Sequence, residues 1–102
     1  MVLKTSTEVT GYDLSTTGTI VEINTDTLLE VGWQITGSGS VDYKVQIQPE
    51  KSSNWYDVES YSGVNNVDDG MVAPEAFRTR IKNTSTANNT ADVVLGGANS
   101  DN

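Results

Sequence analysis

The chain has 102 residues with 14 acidic and 6 basic side chains, a formal net charge of -8, and neither His nor Cys. That length bounds it to one domain, residues 1–102. The missing His and Cys remove disulfides, thiol nucleophiles, the commonest general base and the usual zinc ligands, so a non-enzyme without a metal or other cofactor is expected. Such acidity opposes binding to a polyanion, and no stretch approaches the roughly 20 apolar residues of a membrane span, so neither nucleic acid nor membrane is expected as a partner. The opening residues, Met1 to Thr7, carry no apolar run of the signal-peptide kind, which predicts a soluble, unprocessed product.

Along the chain, period-two alternation dominates. Residues 18–24 are short and β-branched, and residues 24–27 supply a turn. In residues 29–35, Leu29, Val31, Trp33 and Ile35 share one face, as in a half-buried strand. Residues 41–48 repeat the pattern with Val41, Tyr43, Val45 and Ile47, and the Gly-Ser run 36–40 between the two predicts an antiparallel hairpin. After a turn at 49–54, residues 55–61 read as a strand and residues 62–70 as a loop. Residues 76–82 alternate again, with Phe77, Thr79 and Ile81 inward; residues 83–89 form a polar turn, and residues 91–96 form the last strand.

About six to eight short strands separated by turns predict an all-β fold, an antiparallel β-sandwich of immunoglobulin-like or jelly-roll-like form. A polar N-terminal arm (residues 1–10) and a C-terminal tail (residues 97–102) would flank it. The expected core is Ile20, Leu29, Val31, Trp33, Ile35, Tyr43, Val45, Ile47, Trp55, Val58, Phe77, Ile81, Val93 and Leu95. Burying each large side chain contributes roughly 1.5 to 3 kcal/mol while ordering each residue costs about 1.5, so this thin core predicts a marginal domain that neighbours help to stabilise.

Five residues stand out as candidate interface groups. Arg78, Arg80 and Lys82 hold half of the basic charge on one face of a single strand. They either pair with acids such as Asp57 and Glu59 on a neighbouring strand or dock an acidic patch of another subunit. Tyr56 and Tyr61, if exposed, offer rings for stacking on a ligand, whereas Trp33, Tyr43 and Trp55 are better explained as core. Asp68-Asp69-Gly70 resembles a fragment of a calcium loop, but the spaced ligands and distal Glu are missing, so a solvated turn is expected. Sequons start at Asn83 and Asn88 and are read as chance. The scattered acids, few Lys and many Asp, Thr and Asn suit a surface adapted to molar salt as well as an ordinary solubilising charge.

The order Val31-Gly32-Trp33, Gly37-Ser38-Gly39-Ser40, Tyr43-Lys44-Val45-Gln46-Ile47, Asn54-Trp55 and Phe77-Arg78-Thr79-Arg80-Ile81 resembles small β-sandwich structural proteins of tailed phages and haloarchaeal tailed viruses. It is also similar to the fibronectin type III and immunoglobulin-like pattern. The resemblance covers about half of the chain, lacks a disulfide and a tyrosine corner, and rests on motifs common to sandwiches. It implies a virion structural protein (capsid decoration, turret or tail component) located in the virion. Such a protein assembles as a homo-oligomer with other capsid or tail subunits, here in a halophilic virus. The other expectation, of a different class, is a carbohydrate- or receptor-binding module using Tyr56 or Tyr61.

Overall fold

The computed structural model describes residues 5–25, 30–72 and 76–98. Six strands occupy them: β1 (Thr5–Asp13), β2 (Gly18–Asn24), β3 (Glu30–Pro49), β4 (Tyr56–Val72), β5 (Ala76–Asn83) and β6 (Thr90–Ala98). All pairings are antiparallel and join the strands into one curled sheet of order β1-β6-β3-β5-β2, with β4 also paired to β3. The all-β expectation therefore holds, but the described strands form a single hydrogen-bonded sheet, curled as a half-barrel, and not two separate stacked sheets.

The organising element is β3, which is 20 residues long. One of its sides is paired with β4 from Glu30↔Val72 to Ile47↔Tyr56. The other side is shared: β6 pairs with residues 30–37 and β5 with residues 43–49. The run expected to turn a hairpin, Gly37-Ser38-Gly39-Ser40, is where β3 passes from β6 to β5. No glycine there has positive φ, so the chain carries on extended. Thr36 faces Asn66 and Val41 faces Val64, which leaves Gly37 to Ser40 opposite Asn65 alone. That is an enlarged β-bulge, and bulges bend the strand that carries the extra residues. Glycine eases the close approach at this bend, since a Cβ on Gly37 would stand 3.1 Å from the Asn65 carbonyl oxygen and 3.3 Å from the Tyr43 hydroxyl, a fit that needs its neighbours to give by a few tenths of an ångström.

Two further expectations change. Residues 62–70, read as a loop, lie within β4; their polar composition is that of an edge strand with most positions exposed. Residues 5–10 of the expected arm are strand β1, and Gly97 and Ala98 of the expected tail belong to β6, with Thr5 paired to Gly97. The remaining residues of both termini lie outside the described set.

The inner face of the curl carries the core. Ile20, Val31, Trp33, Ile35, Tyr43, Val45, Ile81, Val93 and Leu95 are buried as expected, joined by Leu14, Val21, Ile23, Val41, Val67 and Ala91. Val58 is partly buried against them. Ile47 and Trp55 are only half-buried, because they sit where β3 and β4 reach the rim. Leu29 and the Phe77 side chain lie outside the described residues. One end of the curl is closed by polar side chains. Buried Asn83 accepts from the Gly18 amide and donates to the Thr16 and Ser85 carbonyls, while Leu14 exchanges backbone hydrogen bonds with Asn89 and Ala87. The sequon at Asn83 is thus consumed in the interior, its side chain fully buried.

Candidate functional site

Because side chains alternate along each strand, the register fixes which residues share the outer face. In the half built on the C-terminal part of β3, a row runs Glu22, Arg80, Gln46, Asp57 across β2, β5, β3 and β4. Its members are hydrogen-bonded: Arg80 Nε donates to Gln46 Oε1 at 2.8 Å and Gln46 Nε2 donates to Asp57 Oδ1 at 2.7 Å. Lys44 Nζ closes on Asp57 Oδ2 at 2.8 Å, and Arg78 Nη1 on Glu22 Oε2 at 2.9 Å. The hydrogen bonds from Gln46 and Lys44 lower the Asp57 pKa. Trp55, expected in the core, instead lies under the Arg80 guanidinium, 4.1 Å from ring centroid to the central carbon.

The three bases singled out in the sequence are therefore together on the outer face, as expected, and a fourth, Lys44, joins them. Their partners differ from the expected Asp57 and Glu59. Arg78 takes Glu22, Arg80 takes Gln46 and Trp55, and Asp57 is held by Lys44. Glu59 pairs in register with Val45, which puts it on the opposite face. Lys82 stands directly across from Lys44, and no described carboxylate forms an ion pair with it.

Tyr56 and Tyr61 belong to the inner side, in register with Ile47 and Tyr43, so the five candidate residues do not form one patch. Tyr56 is half exposed at the rim. Tyr61 is bound into the fold: its oxygen accepts from Trp33 Nε1 at 3.0 Å, and its hydroxyl donates to Asp69 Oδ2 at 3.0 Å. Burial, with the Asp69 contact, pushes its pKa up to about 12. Asp69 thus points inward while Asp68, paired with Gln34, points outward; two carboxylates on opposite faces of a strand cannot share an ion as a calcium turn would.

The other half of the outer face carries a feature that the sequence reading missed. There a parallel row runs Glu8, Val94, Gln34, Asp68 across β1, β6, β3 and β4, flanked by Glu30 and by Asp92 beside Thr36. The alternation of acids with apolar residues carried this signal in the sequence, but only the strand order brings four strands' acids together.

Two other surfaces differ from these halves in character. The outer edge of β4 pairs with no other described strand, and its 17 residues carry Asp57, Glu59, Asp68 and Asp69 without a single base. A shallow hollow of about 250 Å³ lined by Ser15, Thr86, Ala87 and Asn88 holds no titratable group and offers no chemistry.

No family model and no curated protein matches the chain. Among solved structures, the chain is similar to the SPBc2 prophage-derived protein YomS, with a TM-score of 0.60 over 94% of this chain and 97% of that one. At 13% sequence identity, what the two share is the fold.

Proposed function

We propose that the protein is a non-catalytic structural component of a tailed-virus particle, incorporated in several copies by protein-protein contacts. The single observation that carries this reading is the long open edge of β4. Among the described residues this edge is unpaired along its length, and such an edge is a template for pairing with a strand of another chain. The shared fold with a prophage-derived protein of matching length supports a phage setting. Four acids and no base along β4 disfavour pairing with the same strand of a second copy, since like charges would line up, and favour a neutral or basic strand of another virion protein. Capsid decoration, turret or tail location, and a halophilic host, are finer forms of the same proposal.

The test is biochemical. When particles of the encoding virus are banded on a density gradient, the chain is expected to co-band with them. Hydrogen exchange should then show the amides of β4 slower in the particle than in the free protein. Recovery only in the particle-free lysate would overturn the virion reading.

A further inference from the structure

The outer face of the sheet is electrically bipolar. Its half around the C-terminal part of β3 carries four of the chain's six bases, Lys44, Arg78, Arg80 and Lys82, against Glu22, Asp42 and Asp57. Those three acids are already engaged: Glu22 with Arg78, Asp57 with Lys44, and Asp42 Oδ1 with the Gly63 amide at 2.7 Å. Among the described residues, the half around the N-terminal part of β3 carries Glu8, Glu30, Asp68 and Asp92, the last accepting from the Gly11 amide at 2.8 Å, and no base. Within it Gly32 and Gly70 are directly paired, so neither strand contributes a side chain to the outer face at that step.

Lys82 adds a second observation. It sits directly opposite Lys44, an arrangement of like charges that is destabilising on a sheet, and Asp57, whose charge also acts on Lys82, makes its ion pair with Lys44. A chain with 14 acids and six bases has placed two of the six side by side. An external carboxylate beside Lys82 would remove that conflict. The complementary surface, acidic and free of base among the described residues, is present on the same polypeptide.

From this we infer that the basic half of the outer face docks the acidic half of a second copy of this chain, with Lys82 near Asp68 of that copy. The contact is sheet face to sheet face and leaves the β4 edge free for other partners. It rests on the charge layout alone and not on the virion reading.

The experiment is sedimentation velocity of the full chain and two charge reversals, Lys82→Glu and Asp68→Lys, both at positions outside the core. At about 0.1 M salt, where the Debye length is about 10 Å, the wild type is expected to associate with concentration and to disperse near 1 M. Each reversal should weaken association by about tenfold or more. An equimolar mixture of the two should restore it, because the glutamate introduced in one variant then faces the lysine introduced in the other, while the native Lys82 of the second faces the native Asp68 of the first. Circular dichroism confirms that both variants fold. A wild type that stays monomeric, a Lys82→Glu protein that associates like wild type, or a mixture that fails to recover would each overturn the inference. None of these outcomes bears on co-banding with particles, so the two proposals fail separately.

Discussion

Tyr43 is the most deeply buried aromatic residue of the core, fully enclosed, and its hydroxyl has no hydrogen-bond partner among the described residues. Burial raises its pKa, as it must when no group stabilises the phenolate. A buried polar group without a partner costs about 1 to 3 kcal/mol, so Tyr43→Phe is expected to hold or raise stability by up to that amount in urea melts. A loss of more than about 1 kcal/mol would mean that the hydroxyl is satisfied. Asn83 is the opposite case. Two of its three hydrogen bonds fasten the β1–β2 connection to β5 and the third holds the turn after β5, and Asn83→Ala should cost about 1 to 3 kcal/mol by leaving part-buried backbone groups unpaired. Tyr61 gives a pH signature. Its folded pKa, about 12, exceeds the ordinary tyrosine value of about 10, so its contribution to stability is complete below about pH 10 and is lost as pH rises towards about 12. In an ultraviolet phenolate titration made in a Tyr43→Phe background, since burial raises that hydroxyl too, Tyr61→Phe should remove the step near pH 12; a step that persists would place the high pKa elsewhere.

At the scale of elements, bulges decide the shape of the sheet. Gly63 has φ of 60° where the β3–β4 register shifts, and its amide donates to Asp42. Only glycine adopts that conformation without strain, so Gly63→Ala should cost about 1 to 2 kcal/mol in a denaturant midpoint. A neutral result would show that the bulge relaxes. Apart from β1, which reads in the sequence as an arm, the strands were largely legible, because β-branched and aromatic residues at period two mark half-buried strands, and Val31, Trp33, Ile35, Tyr43 and Val45 are on the face assigned to them. The connections were not. Gly37 to Ser40 and residues 62–70 have turn-like composition, yet the first is glycine admitting close neighbours and the second is an edge strand dressed in polar residues. Composition cannot separate these cases, since both a turn and a crowded or exposed strand select small and polar side chains. The basic cluster was legible because it lies on one strand. The acidic half was not, because Glu8, Glu30, Asp68 and Asp92 come from four strands and meet only through a sheet order that no local pattern encodes.

Charge acts on the whole molecule in two opposing ways, and salt separates them. A net charge of -8 on a body of 38 × 29 × 18 Å repels itself, and this repulsion is relieved on unfolding. Among the described residues, the exposed ion pairs Lys44–Asp57 and Arg78–Glu22 act against it, each typically worth less than about 1 kcal/mol. Added salt screens both, but the repulsion is summed over the whole acidic excess and the attraction over a few local contacts. The unfolding temperature of the isolated chain is therefore expected to rise by several degrees between about 0.1 M and about 1 M sodium chloride, as the Debye length falls from about 10 to about 3 Å. Self-association through the bipolar outer face should weaken over the same range, because it depends on attraction between complementary halves. Calorimetry at low protein concentration, set beside sedimentation at high concentration, reads the two responses independently. A falling unfolding temperature would mean that the local pairs outweigh the global repulsion and would remove the argument for adaptation to molar salt. A rising temperature with dispersing oligomers would mean that the same excess of acid that favours salt in the folded monomer limits contact between copies to surfaces where the bases have been gathered.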